Sequence, residues 1–166
     1  MIEKDLLKIK HLASIREDEN YRFRAFLKGK DDRIIDRIVQ RLHLEMIQEI
    51  DCTLCANCCS VLQARLHPED IMVLARMENM TPESYQDKYC EKTDFDEIYL
   101  KAIPCRYLVE KRCSIFANRP LECKSYPNTQ KKEFTTRLMG MISSCKVCPI
   151  VFNLMEKLKD ETKFEH

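Results

Sequence analysis

The chain has 166 residues, 28 of them basic and 27 acidic, for a formal net charge of +1. This is the length of one ordinary domain, and the balance excludes a globally basic nucleic-acid binder or an acidic disordered tail. Its two glycines, Gly29 and Gly140, are too few and too far apart for a G-x-G-x-x-G turn or a phosphate-binding loop.

The first fifty residues contain no cysteine and read as helical. Leu6, Leu7, Ile9, Leu12 and Ile15 recur mostly at helical steps between lysines, and Tyr21, Phe23, Phe26 and Leu27 continue the pattern. Gly29 is placed to end that segment as a left-handed C′ residue. Asp31 or Asp32 is then placed to cap a helix over residues 32–49, with an apolar stripe of Ile34, Ile35, Ile38, Val39, Leu42, Met46 and Ile47. His11 and His43 have no potential ligand three or four positions away and read as surface or satisfied histidines. Pro68, followed by Glu69 and Asp70, opens another helix with Ile71, Leu74, Ala75 and Met77 on its apolar face. His67 before it reads as a solvated loop residue, and Thr81-Pro82-Glu83 starts a further short helix. Alternation from Glu97 onward predicts strand, with Glu110-Lys111-Arg112 as a hairpin tip. A closing helix begins at Pro149 and carries Ile150, Val151, Leu154, Met155 and Leu158.

Ten cysteines fall short of the density of a secreted disulfide scaffold. The N-terminus, Met1-Ile2-Glu3-Lys4-Asp5-Leu6-Leu7-Lys8, has no apolar signal segment. No uninterrupted apolar run approaches the roughly 18 residues of a membrane span. The expectation is a cytoplasmic protein, with no membrane partner, whose clustered reduced thiols bind metal. Residues 52–59 read Cys52-Thr53-Leu54-Cys55-Ala56-Asn57-Cys58-Cys59, two overlapping C-x-x-C steps and an adjacent cysteine. Such spacing turns two sulfurs toward one ion, and thiolates select zinc, copper(I) or iron–sulfur clusters. Neighbours such as Cys58 and Cys59 do not easily point the same way, so the pair is expected to serve two sites, unless one is simply a small buried residue.

Further on stand Pro104-Cys105-Arg106-Tyr107-Leu108, Cys113-Ser114-Ile115-Phe116, Arg119-Pro120-Leu121-Glu122-Cys123-Lys124-Ser125-Tyr126-Pro127 and Cys145-Lys146-Val147-Cys148-Pro149. In order, these elements resemble the YkgJ-like family of CxxCxxCC cysteine-cluster proteins, described as zinc- or iron-chelating domains. The match covers residues 52–127, with a looser continuation through Cys148-Pro149. The resemblance implies an eight-cysteine metal centre of Cys52, Cys55, Cys58, Cys59, Cys105, Cys113, Cys123 and Cys148, with Cys145 as a substitute for Cys148. Cys90 matches no element and reads as a structural or surface thiol. Phe116 stands where the family often has tyrosine. Arg119 is the expected supporting cation, its planar fork suited to bridging carbonyls around the loop.

These readings predict a mainly α fold with a small β-hairpin, in which helices surround a cysteine-rich, loop-dominated metal centre. A single domain over 1–166 is expected, with a helical part at 1–50, the metal-binding region at 51–149 and a closing helix at 150–166. The expected function is metal binding, with zinc ahead of iron or a [4Fe–4S] cluster, in a structural or accessory module whose activity lies with a protein partner. A closed four-cysteine zinc site leaves no open position for catalysis, and no catalytic residue is identified. The alternative is an iron–sulfur protein with a redox or protein-modification role, because a similar cluster occurs in the flagellin lysine methylase family. Tyr107, Phe116 and Tyr126 interleave with Arg106, Arg119 and Lys124, but net neutrality disfavours a nucleic-acid partner.

Overall fold

The computed structural model describes residues 2–165. The fold is mainly α with a small β component. In chain order the helices are α1 Leu6–Ile15, α2 Glu17–Leu27, α3 Asp32–Glu49, α4 Cys52–Cys55, α5 Asn57–Val61, α6 Pro68–Met77, α7 Pro82–Tyr89, α8 Leu121–Ser125, α9 Leu138–Cys145 and α10 Pro149–Glu161. The strands are β1 Arg65–Leu66, β2 Cys90–Lys92, β3 Ile98–Leu100, β4 Leu108–Val109 and β5 Arg112–Cys113. The chain divides into two compact units, Met1–Cys52 with Pro127–His166, and Thr53–Tyr126.

The first unit is helical. Asp5 starts α1 by accepting from the Leu7 and Lys8 N–H groups at 2.9 and 3.1 Å. Asp31 starts α3 by accepting from Arg33 N–H at 2.8 Å, satisfying a donor that the helix itself cannot pair. The stripe predicted for this helix is buried at Ile35, Val39, Leu42 and Met46, while Ile34 and Ile47 remain exposed. The buried set recurs at helical spacing and faces α10, which opens with Pro149 at its first turn as expected. Gly29 is not left-handed. The end of α2 is closed instead by tight turns from Gly29 N–H to the Phe26 carbonyl and from Lys30 N–H to the Leu27 carbonyl, at 3.2 and 3.0 Å, which need no positive φ. His43 is satisfied by Thr129, with Nδ1 2.8 Å from the hydroxyl, and His11 is exposed.

The apolar face of α10 also carries Lys159, which is fully buried. Its ammonium donates to Glu19 at 2.6 Å and Glu156 at 2.8 Å, and Arg16 also pairs with Glu156. A buried lysine survives in such a place only with its charge met by carboxylates.

The second unit places a three-stranded antiparallel sheet, ordered β1-β3-β2, beside α6 and α7. Register pairs Arg65 with Tyr99 and Cys90 with Leu100. The predicted alternation from Glu97 is thus β3, the middle strand. Leu66, Ile71, Leu74, Ala75, Tyr85, Cys90, Leu100, Tyr107 and Ile115 form the buried cluster. Cys90 is therefore a core residue. Its polar seam is the pair Tyr85–Tyr107, hydroxyl to hydroxyl at 2.8 Å. Arg106 lies over the Tyr89 ring at 3.6 Å and reaches Glu78 at 2.9 Å. The β4–β5 hairpin turns through Glu110 and Lys111, both at positive φ, the backbone that a two-residue hairpin turn requires.

Lys159→Met keeps the buried stem and removes the positive charge that faces Glu19 and Glu156. It is expected to lower unfolding stability by about 3 kcal/mol, read as a shift in the urea midpoint, with Lys159→Arg recovering part of the loss.

Candidate metal centre

The C-x-x-C-x-x-C-C run forms two short helical turns, α4 and α5, separated by Ala56 in the left-handed conformation at φ 48°. Cys52 is exposed, and Cys55, Cys58 and Cys59 are half-buried. The Cys58 and Cys59 sulfurs lie 3.9 Å apart. Adjacent residues on one turn have thus brought their thiols together, contrary to the expectation that they point apart.

Three other segments of the second unit carry cysteines to this place. The Cys105 N–H donates to the Cys59 carbonyl at 2.8 Å, tying the loop after Pro104 to α5. The Leu108 N–H closes a turn onto the Cys105 carbonyl at 2.9 Å, and Leu108 pairs across the hairpin with Cys113. Cys123 sits at the centre of α8. Cys105, Cys113 and Cys123 are all half-buried.

Their acidities show that these thiols feel one another. Burial, and then the negative charges of Cys59, Cys105 and Cys113, push the Cys123 thiol up to about 12. Burial also raises Cys105, with further increments from Cys59 and Cys113. Cys59 is held below the usual thiol range by its hydrogen bond with Cys58 and, against burial, by the charge of Arg119. Arg119 lies over the Phe116 ring at 3.7 Å, and its Nε is buried with no hydrogen-bond partner. The expected supporting cation is in place, but it acts through charge and stacking. Arg106 is committed to Glu78 and the tyrosines, and Lys111, Arg112 and Lys124 are exposed.

The donor set is sulfur throughout, which suits a soft ion. A four-thiolate zinc site with bonds near 2.3 Å has sulfur–sulfur edges of about 3.8 Å, and the Cys58–Cys59 separation fits such an edge. Among the described residues, no three histidine, cysteine or acidic side chains converge closely enough to hold an ion in common. One edge of a site is formed, with further sulfurs around it.

Of the remaining cysteines, Cys52, Cys145 and Cys148 belong to the first unit. Cys145 is buried at the end of α9, and burial pushes its thiol up to about 12. Cys148 is also buried and precedes Pro149 at the start of α10. His67, read as a solvated loop residue, instead lies with Nε2 3.3 Å from the Glu122 carboxylate, next to Cys123. Nothing in its local sequence signals this, because its partner is 55 residues away.

A family model, CxxCxxCC, described as "Putative zinc- or iron-chelating domain", matches residues 51–141. No curated protein and no solved structure matches the chain. No helix among the described residues is long and apolar enough to cross a membrane.

Replacing Arg119 with Met removes the positive charge that holds the Cys59 thiol down. The pH midpoint for Cys59 alkylation, followed by peptide mass spectrometry on reduced, chelator-treated protein, is expected to move upward. That of Cys90, whose acidity Arg119 does not influence, is expected to stay where it is.

Proposed function

Because this chain belongs to the CxxCxxCC family of zinc- or iron-chelating domains, we propose that it is a thiolate metal-binding module with zinc as its ion. The observation that favours a single ion over a cluster is the 3.9 Å separation of the Cys58 and Cys59 sulfurs, the edge of a tetrahedral four-thiolate site. A [4Fe–4S] cluster holds each cysteine on its own iron, and adjacent thiols at that spacing suit a single ion better.

The proposed ligands are Cys52, Cys55, Cys58, Cys59, Cys105, Cys113, Cys123 and Cys148, with Cys145 as the substitute for Cys148. Of these, Cys58, Cys59, Cys105, Cys113 and Cys123 are supported by the hydrogen bonds and mutual electrostatics of the second unit. A bound zinc ion would supply a closed, redox-silent cross-link between segments. The chain's own residues bring the sulfurs together, bury them in part and place Arg119 against their charge. Such a module works as a structural or accessory part of a cytoplasmic assembly, with its activity residing in a protein partner.

Protein purified without oxygen or chelator is expected to be colourless and to contain about two zinc ions per chain if all eight thiolates take part in four-coordinate sites. Iron with acid-labile sulfide and visible absorption would overturn the zinc reading in favour of a redox or protein-modification role. Cys59→Ser and Cys123→Ser are expected to lose metal. Cys90→Ser is expected to keep it, while losing about 1–2 kcal/mol of stability because a hydroxyl replaces a thiol in the core.

A further inference from the structure

We propose that Asp70 is the positioning residue of Cys123: one carboxylate closes the first turns of α6 and α8 and thereby fixes the metal-binding sulfur in place. The proposal rests on the reading of Cys123 as a ligand.

At five residues, α8 is too short to persist on its own, and none of its residues is buried. Pro120 precedes it and offers no side-chain cap. The Leu121 N–H, orphaned at the helix start, donates instead to Asp70 Oδ1 at 3.0 Å, across 51 residues of chain. The other oxygen, Oδ2, accepts from the His67 N–H at 2.9 Å, closing the first turn of α6. His67 in turn places Nε2 3.3 Å from the Glu122 carboxylate. The two residues immediately ahead of Cys123 are thus both held by the start of α6. That helix is anchored in the core through Ile71, Leu74 and Ala75. The line of support runs from core to α6, through Asp70 to Leu121, and from there to the sulfur. A carboxylate whose two oxygens each accept from the start of a helix is favoured there by the exposed N–H groups.

The bond can be cut from either side. Asp70→Ala removes the acceptor but also weakens α6. Leu121→Pro removes the donor and leaves α6 untouched. Leu121 is exposed, proline fits a first helical position, and Pro120 already has the extended ψ of 151° that a residue before proline needs. The full reduced chain is titrated with cobalt(II), whose visible bands and thiolate charge-transfer absorption report the ligands. Both variants are expected to bind cobalt about 10–100-fold more weakly than wild type, with less thiolate charge-transfer absorbance per bound ion. The double variant is expected to be no weaker than the weaker single one, since both cut the same bond.

Wild-type affinity and spectrum in Leu121→Pro would overturn the proposal alone, and that variant decides the matter if Asp70→Ala does not fold. A wild-type chain with no thiolate–cobalt absorption would overturn the metal reading, and this positioning role with it.

Discussion

Crowding of thiols is the constraint on which the rest of this structure depends. Burial makes Cys105 and Cys123 costly to ionise, and the charges of the neighbouring Cys59 and Cys113 add to that cost. A divalent ion offsets that cost, since it attracts each thiolate and replaces repulsion by bonds. Arg119 does a small part of this already, but a single guanidinium is committed to a ring as well as to Cys59 and Cys123.

The two units meet that constraint differently. The first has an extensive core in which α3 and α10 bury long apolar faces, and the deeply buried charge of Lys159 is answered by two carboxylates. The second spans only residues 53–126 and has a modest buried cluster. A core of that size supplies only a few kcal/mol, whereas a structural zinc ion contributes on the order of 10 kcal/mol. Under the proposed function, the ion is then a principal source of stability for the loops that carry its ligands. The sheet and α6 carry much of the buried cluster, and the hydrogen bond from Leu121 to Asp70 connects α8 to α6, as that from Cys105 to Cys59 connects the loop after Pro104 to α5.

What could be read from sequence follows from the range of the forces involved. The helix at 32–49 was legible because its start, an aspartate, and its period are local properties. Pro68, Thr81 and Pro149 marked helix starts for the same reason. The hairpin was faint because Glu110 and Lys111 adopt positive φ without the glycine or asparagine that announces such a turn. Gly29 misled by type, since the tight turns after α2 made a left-handed residue unnecessary. At the candidate centre, the cysteines were visible as a motif, but the roles of Asp70 and His67 were not. Their partners lie more than fifty residues away, and a cap residue that also serves a second helix leaves no periodic trace.

The pairing of Cys58 with Cys59 shows how backbone conformation decides what a cysteine motif can bind. In one continuous helix, Cys52 and Cys59 would be separated by about 10 Å along the axis, far beyond the edge of a four-sulfur site. Left-handed Ala56 breaks that helix into two turns and redirects the chain between Cys55 and Cys58. A left-handed alanine costs roughly 1–2 kcal/mol relative to the right-handed form, and it persists because the Ala56 carbonyl is held by both the N–H and the hydroxyl of Ser60. The Ser60 bonds fix the turn on which Cys58 and Cys59 sit, and the Cys59 carbonyl then receives Cys105. A strained residue without a sulfur atom therefore determines which sulfurs can meet.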